Sequence, residues 1–203
     1  MTVSLLVSTY NWPRALYLCL DSVMQQTVLP DEILIADDGS GMATRDVVKH
    51  FERISPVPVR HIWHEDRGFR VATIRNKAIA ASTCDYIIQI DGDLILERHF
   101  VQDHILFAKP GCYVSGSRGI ITEPLTRQVL SGAITSLSAL TKGVRCSNNV
   151  MRIPFMAIIY RMIAGSKSPR SCNMALWRED AIRVNGYDES FEGWGYAVSY
   201  THL

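Results

Sequence analysis

Several common signatures are missing from this chain, and each absence removes a class of function. No segment reaches the roughly 20 uninterrupted apolar residues that a membrane-spanning helix requires. The best candidate, Ile153 to Ala164, is shorter and carries Arg161; it reads as a packed helix rather than an interfacial one. No basic-then-apolar leader opens the sequence, which starts directly on a strand-like run. There is no Gly-x-Gly-x-x-Gly after a strand, no Gly-x-x-x-x-Gly-Lys-Ser/Thr and no Gly-x-Ser-x-Gly. The dinucleotide fingerprint, the P-loop and the hydrolase elbow are therefore excluded. The five cysteines, Cys19, Cys84, Cys112, Cys146 and Cys172, are odd in number, widely spaced and free of any Cys-x-x-Cys. They read as buried free thiols rather than a disulfide framework or a zinc cluster. The formal net charge is only +1, so nothing global attracts nucleic acid or an anionic membrane. An anionic ligand must be caught by a local site.

What is present is the composition of a folded α/β protein: 203 residues, 47% hydrophobic and 20% charged. Val3 to Ser8 is a compact β-type run. Pro13 opens a helix with Leu16, Leu20 and Val23 on one face. Further strands are expected at Glu32 to Ala36, Val59 to Trp63, Tyr86 to Ile90 and Cys112 to Gly116. Helices are expected from Ser40 through Phe51, over Val71 to Ala81 and over Glu97 to Ala108. Apolar strands alternating with amphipathic helices predict a mostly parallel sheet with helices on both faces. Its right-handed crossovers gather the post-strand loops on one edge. From Ser117 to Arg170 the pattern weakens, and long loop and short helices are not separable. The expected organisation is an α/β half over 1–116 and a second half over 117–203.

Three polar clusters each end a strand, so all three are expected on that edge. Asp91-Gly92-Asp93 is the strongest. Hard divalent cations take oxygen ligands, and Mg²⁺ uses one or two carboxylates with substrate phosphates; glycine between them lets the backbone turn sharply for a diphosphate. In isolation the triplet is equally a solvated turn, and its place after a buried strand favours the ligand reading. In Asp37-Asp38-Gly39-Ser40, Asp38 is placed to accept from an imide N–H or ribose hydroxyls, while Ser40 serves as turn or cap. Thr9-Tyr10-Asn11 offers backbone groups and an aromatic face. A fourth stretch, Asp66 to Arg70 with Arg75 and Asn76, puts cationic and amide groups at the start of a helix, where a pyrophosphate is favoured.

The runs VSLLVSTYN, EILIADDGS, GFRVATIRNKAI and YIIQIDGDLIL resemble family 2 glycosyltransferases in order and spacing. The later run SCNMALWREDAIRVNGYDESFEGWG is similar to the acceptor-side segment of those enzymes and of galactosyltransferase-type relatives. The resemblance covers Thr2 to Gly195 and implies a GT-A fold, Rossmann-like, as one continuous domain. It implies an inverting transfer from a UDP-sugar to a glycan or lipid-linked acceptor in bacterial surface polysaccharide synthesis. Thr9, Tyr10, Asn11, Asp38, Arg75, Asn76 and Asp91 would meet the nucleotide. Asp91 and Asp93 would hold Mn²⁺ or Mg²⁺, and Asn173 and Trp194 would line the sugar or acceptor side. A cytoplasmic protein is implied; peripheral association at the inner membrane face stays open, since lipid-linked acceptors sit there. The sequence departs from the pattern after Gly193-Trp194-Gly195, where relatives carry the acidic catalytic base. No carboxylate follows Glu192. The catalytic base is therefore unassigned, and a C-terminus incomplete at this point is expected. The alternative is a nucleotide-sugar-binding fragment that transfers nothing.

Overall fold

A computed structural model describes residues 1–153 and 171–190. The chain divides into two compact units, Met1–Ser115 with Arg170–Leu203, and Gly116–Pro169. The boundary expected at residue 116 thus falls at the edge of the first unit, but the chain from Ser171 returns to that unit's sheet.

The first unit is built on β1 (Val3–Thr9), β2 (Glu32–Asp37), β3 (Val59–Trp63), β4 (Tyr86–Asp91), β5 (Val114–Ser115) and β8 (Asn173–Trp177). They pair in the order β3-β2-β1-β4-β8-β5. The pairs among β1 to β4 are all parallel. Parallel strands are covered on both faces, which explains why β1 and β2 are buried at nearly every position instead of alternating. One layer joins Leu5, Val7, Ile33, Ile35, Ile88 and Ile90 to Leu16, Leu20, Val48 and Phe51 of the helices α1 (Pro13–Met24) and α2 (Met42–Ile54). The opposite layer joins Leu6, Leu34 and Ile87 to Ile74 and Ala78 of α3 (Val71–Ala81). Adjacent strand positions point to opposite layers, as the pleat requires.

Two details differ from the sequence expectation. The helix expected from Glu97 is α4, Phe100–Phe107. Before it, the chain is tied down as a turn by Ser22 Oγ, which accepts from Leu96 N, and by Glu97 O, which accepts from Gln26 Nε2. The fifth strand shrinks to Val114–Ser115 because only these residues pair with β8. β8 is antiparallel to both β4 and β5, and nothing in the local pattern foretold its insertion between them. Its last residue leads into α6 (Arg178–Arg183).

The second unit pairs β6 (Ile120–Ile121) antiparallel with β7 (Val144–Arg145), and α5 (Glu123–Leu130) buries Leu125 and Val129. A 3-10 turn spans Ser147–Asn149. The helix read at Ile153 to Ala164 lies outside the described residues apart from Ile153. Among the described residues, no helix is long and apolar enough to cross a membrane. Cys19, Cys84 and Cys172 are buried, but Cys112 and Cys146 are exposed, which corrects the expectation of five buried thiols.

His104 on α4 donates from Nε2 to Asn173 Oδ1 at 3.0 Å, while its Nδ1 is buried with no partner among the described residues. Burial pushes its pKa down to about 4, against about 6.5 in an unfolded chain. Below the unfolded value the unfolded chain takes up a proton that the fold refuses, so stability falls as pH drops towards 4. Between pH 7 and 5 the expected loss from this group is about 2 kcal/mol. Urea unfolding at both pH values should show it, and His104→Gln should flatten it.

Candidate active site at the ends of the parallel strands

β1 lies between β2 and β4, and the chain, having built β2 and β3 on one side, crosses to β4 on the other. In open sheets of this kind, ligands bind where the winding direction reverses, beyond the carboxyl ends of the strands. The register fixes what stands there: Ser8 opposite Asp91, and Thr9 opposite Asp37. Backbone hydrogen bonds continue past the strands, from Asp38 N to Thr9 O at 3.0 Å and from Gly92 N to Ser8 O at 2.7 Å. The three polar clusters therefore share one edge of the sheet. A Cβ on Gly92 would lie 3.0 Å from Ser8 O and 3.3 Å from Leu16 Cδ1 and Thr9 Cβ. Gly92 thus lets the acidic turn close down on β1.

Arg75 organises the switch point. Its guanidinium is 3% exposed, donating from Nε to Ser8 Oγ at 3.0 Å and from Nη2 to Asp91 Oδ1 at 2.9 Å. Its third face stands over the Tyr187 ring, 5.7 Å from the centroid. Asp91 is partly open to solvent and Asp93 is exposed. Two carboxylates on one turn, one of them steadied by arginine, are an oxygen set suited to a hard divalent cation that brings its other ligands with it. Among the described residues no three His, Cys, Asp or Glu side chains form a cage, so substrate oxygens and water would have to complete the shell.

The second cluster is built from buried acids. Asp37 accepts from Ser40 N and His61 Nε2, both at 2.8 Å. Burial alone would raise its pKa, but the N–H groups of His61 and Ser40 outweigh that and hold it below the usual carboxylate range. Asp38 is 4% exposed. Its Oδ1 meets His64 Nε2 at 2.7 Å, and its Oδ2 accepts from Arg70 N at 2.8 Å. Gly39 has φ +101°, and a Cβ there would stand 2.6 Å from the Cα of Asp66, so only glycine lets the Asp66 loop lie against this turn.

Asn11 is exposed and supports the rim: its N donates to Ser40 Oγ and its Oδ1 accepts from Gly41 N. It does so with φ 45°, a left-handed conformation that asparagine tolerates. Tyr10 is half exposed and donates to Asp66 Oδ2 at 2.9 Å, which presents its ring at the rim. At this edge the buried guanidinium nitrogens Arg70 Nε and Arg75 Nη1 have no acceptor among the described residues. Such orphan donors cost about 1–3 kcal/mol each unless an oxygen reaches them.

Some residues read as contacts sit elsewhere. Asn76 spends its amide on the turn after α6, donating to Tyr187 O and Glu189 Oε1 and accepting from Tyr187 N. It clamps that turn and does not reach the rim. Asn173 is buried on β8 against His104, so it is a packing partner of the sheet. Trp194 lies outside the described residues. Two contributors were not singled out in the sequence. His64 follows β3 as the other clusters follow their strands, a positional signal that was available. Tyr187, which donates to Gln89 Oε1, is visible only once the fold brings the Gly186 turn under Arg75.

The family model of glycosyl transferase family 2 matches residues 4–182. A validoxylamine A glucosyltransferase of Streptomyces hygroscopicus subsp. limoneus is 26% identical over 95% of this chain and 45% of its own length. A chondroitin synthase of Escherichia coli is 21% identical over 95% of this chain and 30% of its own. Among solved structures, the mannosyltransferase PcManGT of Pyrobaculum calidifontis, in complex with GDP-Man and Mn²⁺, superposes with a TM-score of 0.65. It is 19% identical and matches 97% of this chain and 49% of its own. The chain thus spans less than half the length of each of these relatives.

Proposed function

Because the chain belongs to glycosyl transferase family 2, we propose that it transfers a sugar from a UDP-sugar to a glycan or lipid-linked acceptor in surface polysaccharide synthesis, with inversion at the anomeric carbon. The observation that carries this reading is the shared edge of β1, β2 and β4, where Asp38 follows β2, Asp91 ends β4 with Asp93 close behind, and Arg75 bonds Asp91. Asp38 is held as an acceptor for an imide N–H, Tyr10 offers a ring face to the base, and Asp91 and Asp93 would hold Mn²⁺ or Mg²⁺. The metal would neutralise charge growing on the departing diphosphate. The Mn²⁺ and GDP-Man of the Pyrobaculum neighbour support a metal-assisted donor site.

In the transfer, the acceptor hydroxyl oxygen bonds to the anomeric carbon as the carbon–oxygen bond to the diphosphate breaks. A base takes the hydroxyl proton. Among the described carboxylates near the second half's turn, Asp188 accepts from Ser190 N, and Glu189 accepts from Thr73 Oγ1 and Asn76 Nδ2. Both serve the turn, so the base is not assigned to either. The second reading is a donor-binding module that does not turn over, since both described carboxylates of this turn are engaged in holding it.

Calorimetric titration with UDP is expected to show micromolar binding with Mn²⁺ and at least tenfold weaker binding with EDTA. No UDP binding in either buffer would end the donor-site reading. Transfer from a panel of UDP-sugars to simple acceptors then separates enzyme from module.

A further inference from the structure

Resting on the donor-site reading above, we propose that His64 is a positioning residue for the nucleobase. It holds Asp38 as a fixed acceptor, and Lys77 sets the tautomer that lets it do so. His64 is 7% exposed at the end of β3, its Nε2 2.7 Å from Asp38 Oδ1 and its Nδ1 3.4 Å from Lys77 Nζ. An ammonium group has donors only. Its approach makes Nδ1 the acceptor, so the ring proton sits on Nε2 and points at the carboxylate. The second oxygen of Asp38 is taken by Arg70 N, at the residue preceding α3. Each carboxylate oxygen has two lone-pair sites, so one internal bond at each leaves acceptor capacity while locking the plane of the group.

A carboxylate fixed in this way discriminates between bases by their donors. Uracil presents a ring N–H where cytosine presents a bare ring nitrogen, and a lone pair facing Asp38 would be left unpaired and repelled. Selectivity of this kind comes from the unpaired polar group rather than from fit. It requires that Asp38 not rotate, and His64 secures this by donating to Oδ1 from a buried position. Lys77 is exposed on α3, so it can be replaced without disturbing the core.

The ratio of CDP to UDP dissociation constants, measured with Mn²⁺, reads this role directly, because general loss of structure weakens both ligands alike. In His64→Ala the ratio should fall at least tenfold. His64→Gln keeps an N–H facing Asp38 and should restore it to within about threefold of the unaltered chain. Lys77→Met should lower it about threefold with the fold intact, and it decides the matter if His64→Ala does not fold. In turnover, His64→Ala should raise the donor KM while kcat changes little. An unchanged ratio in His64→Ala or Lys77→Met, or failure of His64→Gln to restore it, would overturn the assignment. If the unaltered chain binds neither nucleotide, the donor-site reading falls, and this one with it; UDP binding with an unmoved ratio removes the role of His64 alone.

Discussion

Asp93→Ala is expected to lower sugar transfer by about 10³-fold and to abolish the Mn²⁺ dependence of UDP binding, while leaving stability within about 0.5 kcal/mol. The asymmetry follows from position. Asp93 is exposed at the outer end of the Asp91-Gly92-Asp93 turn, so little of the fold depends on it. If Asp93 helps hold the cation, as proposed, it would act where leaving-group charge is greatest, and such electrostatic contributions are usually the largest in catalysis. Calorimetry with and without Mn²⁺, beside a urea titration, checks both halves. Metal-dependent UDP affinity that survives the substitution would remove Asp93 from the site.

Arg75→Met should act in the opposite way, damaging fold and site together. Methionine replaces the aliphatic stem but none of the donors. Ser8 Oγ and Asp91 Oδ1 lose their bonds, and the Tyr187 ring loses the cation above it. Breaking a buried ion pair by removing one partner costs about 3–5 kcal/mol. Asp91 keeps a third of its side-chain surface in water, which offsets part of that, so about 2–3 kcal/mol is expected in urea unfolding. UDP affinity in the folded fraction should also drop at least tenfold, because Asp91 is no longer steadied. Arg75→Lys should fall between, since one ammonium cannot span Ser8 and Asp91 in the guanidinium's planar geometry. A stability indistinguishable from the unaltered chain would show that the pair does not hold the switch point.

The sequence was legible where local chemistry and position agree. Val3 to Ser8, Val59 to Trp63 and Val71 to Ala81 stand close to where their patterns put them, because apolar run length, Pro13 and Ser55-Pro56 all punctuate in the same sense. The gathering of Ser8, Asp38 and Asp91 on one edge followed from parallel strands alone. What escaped was non-local. β8 reads as a strand in isolation, but its slot between β4 and β5 is decided by pairing partners far away in the chain. Asn76 carried the right chemistry for a phosphate or base, yet α3 turns it towards Tyr187 and Glu189; helical phase set that, one residue on from Arg75. His64 lacked any motif of its own, and only its position after β3 could have marked it before the fold set it beside Asp38.

The placement of β8 has a kinetic consequence. The strands β1, β2 and β3 pair in turn through single crossovers, and β4 joins β1 as soon as residue 91 has been made. β4, however, keeps an open edge until the whole of the second unit has been made and Asn173–Trp177 arrives to cover it. That closure is as non-local as the one that joins β1 to β4, and it comes last. For that interval the emerging chain exposes the apolar edge of Tyr86–Asp91 to any passing strand. Chaperone dependence and aggregation during expression should therefore track how quickly β8 docks, more than they track the stability of the finished sheet.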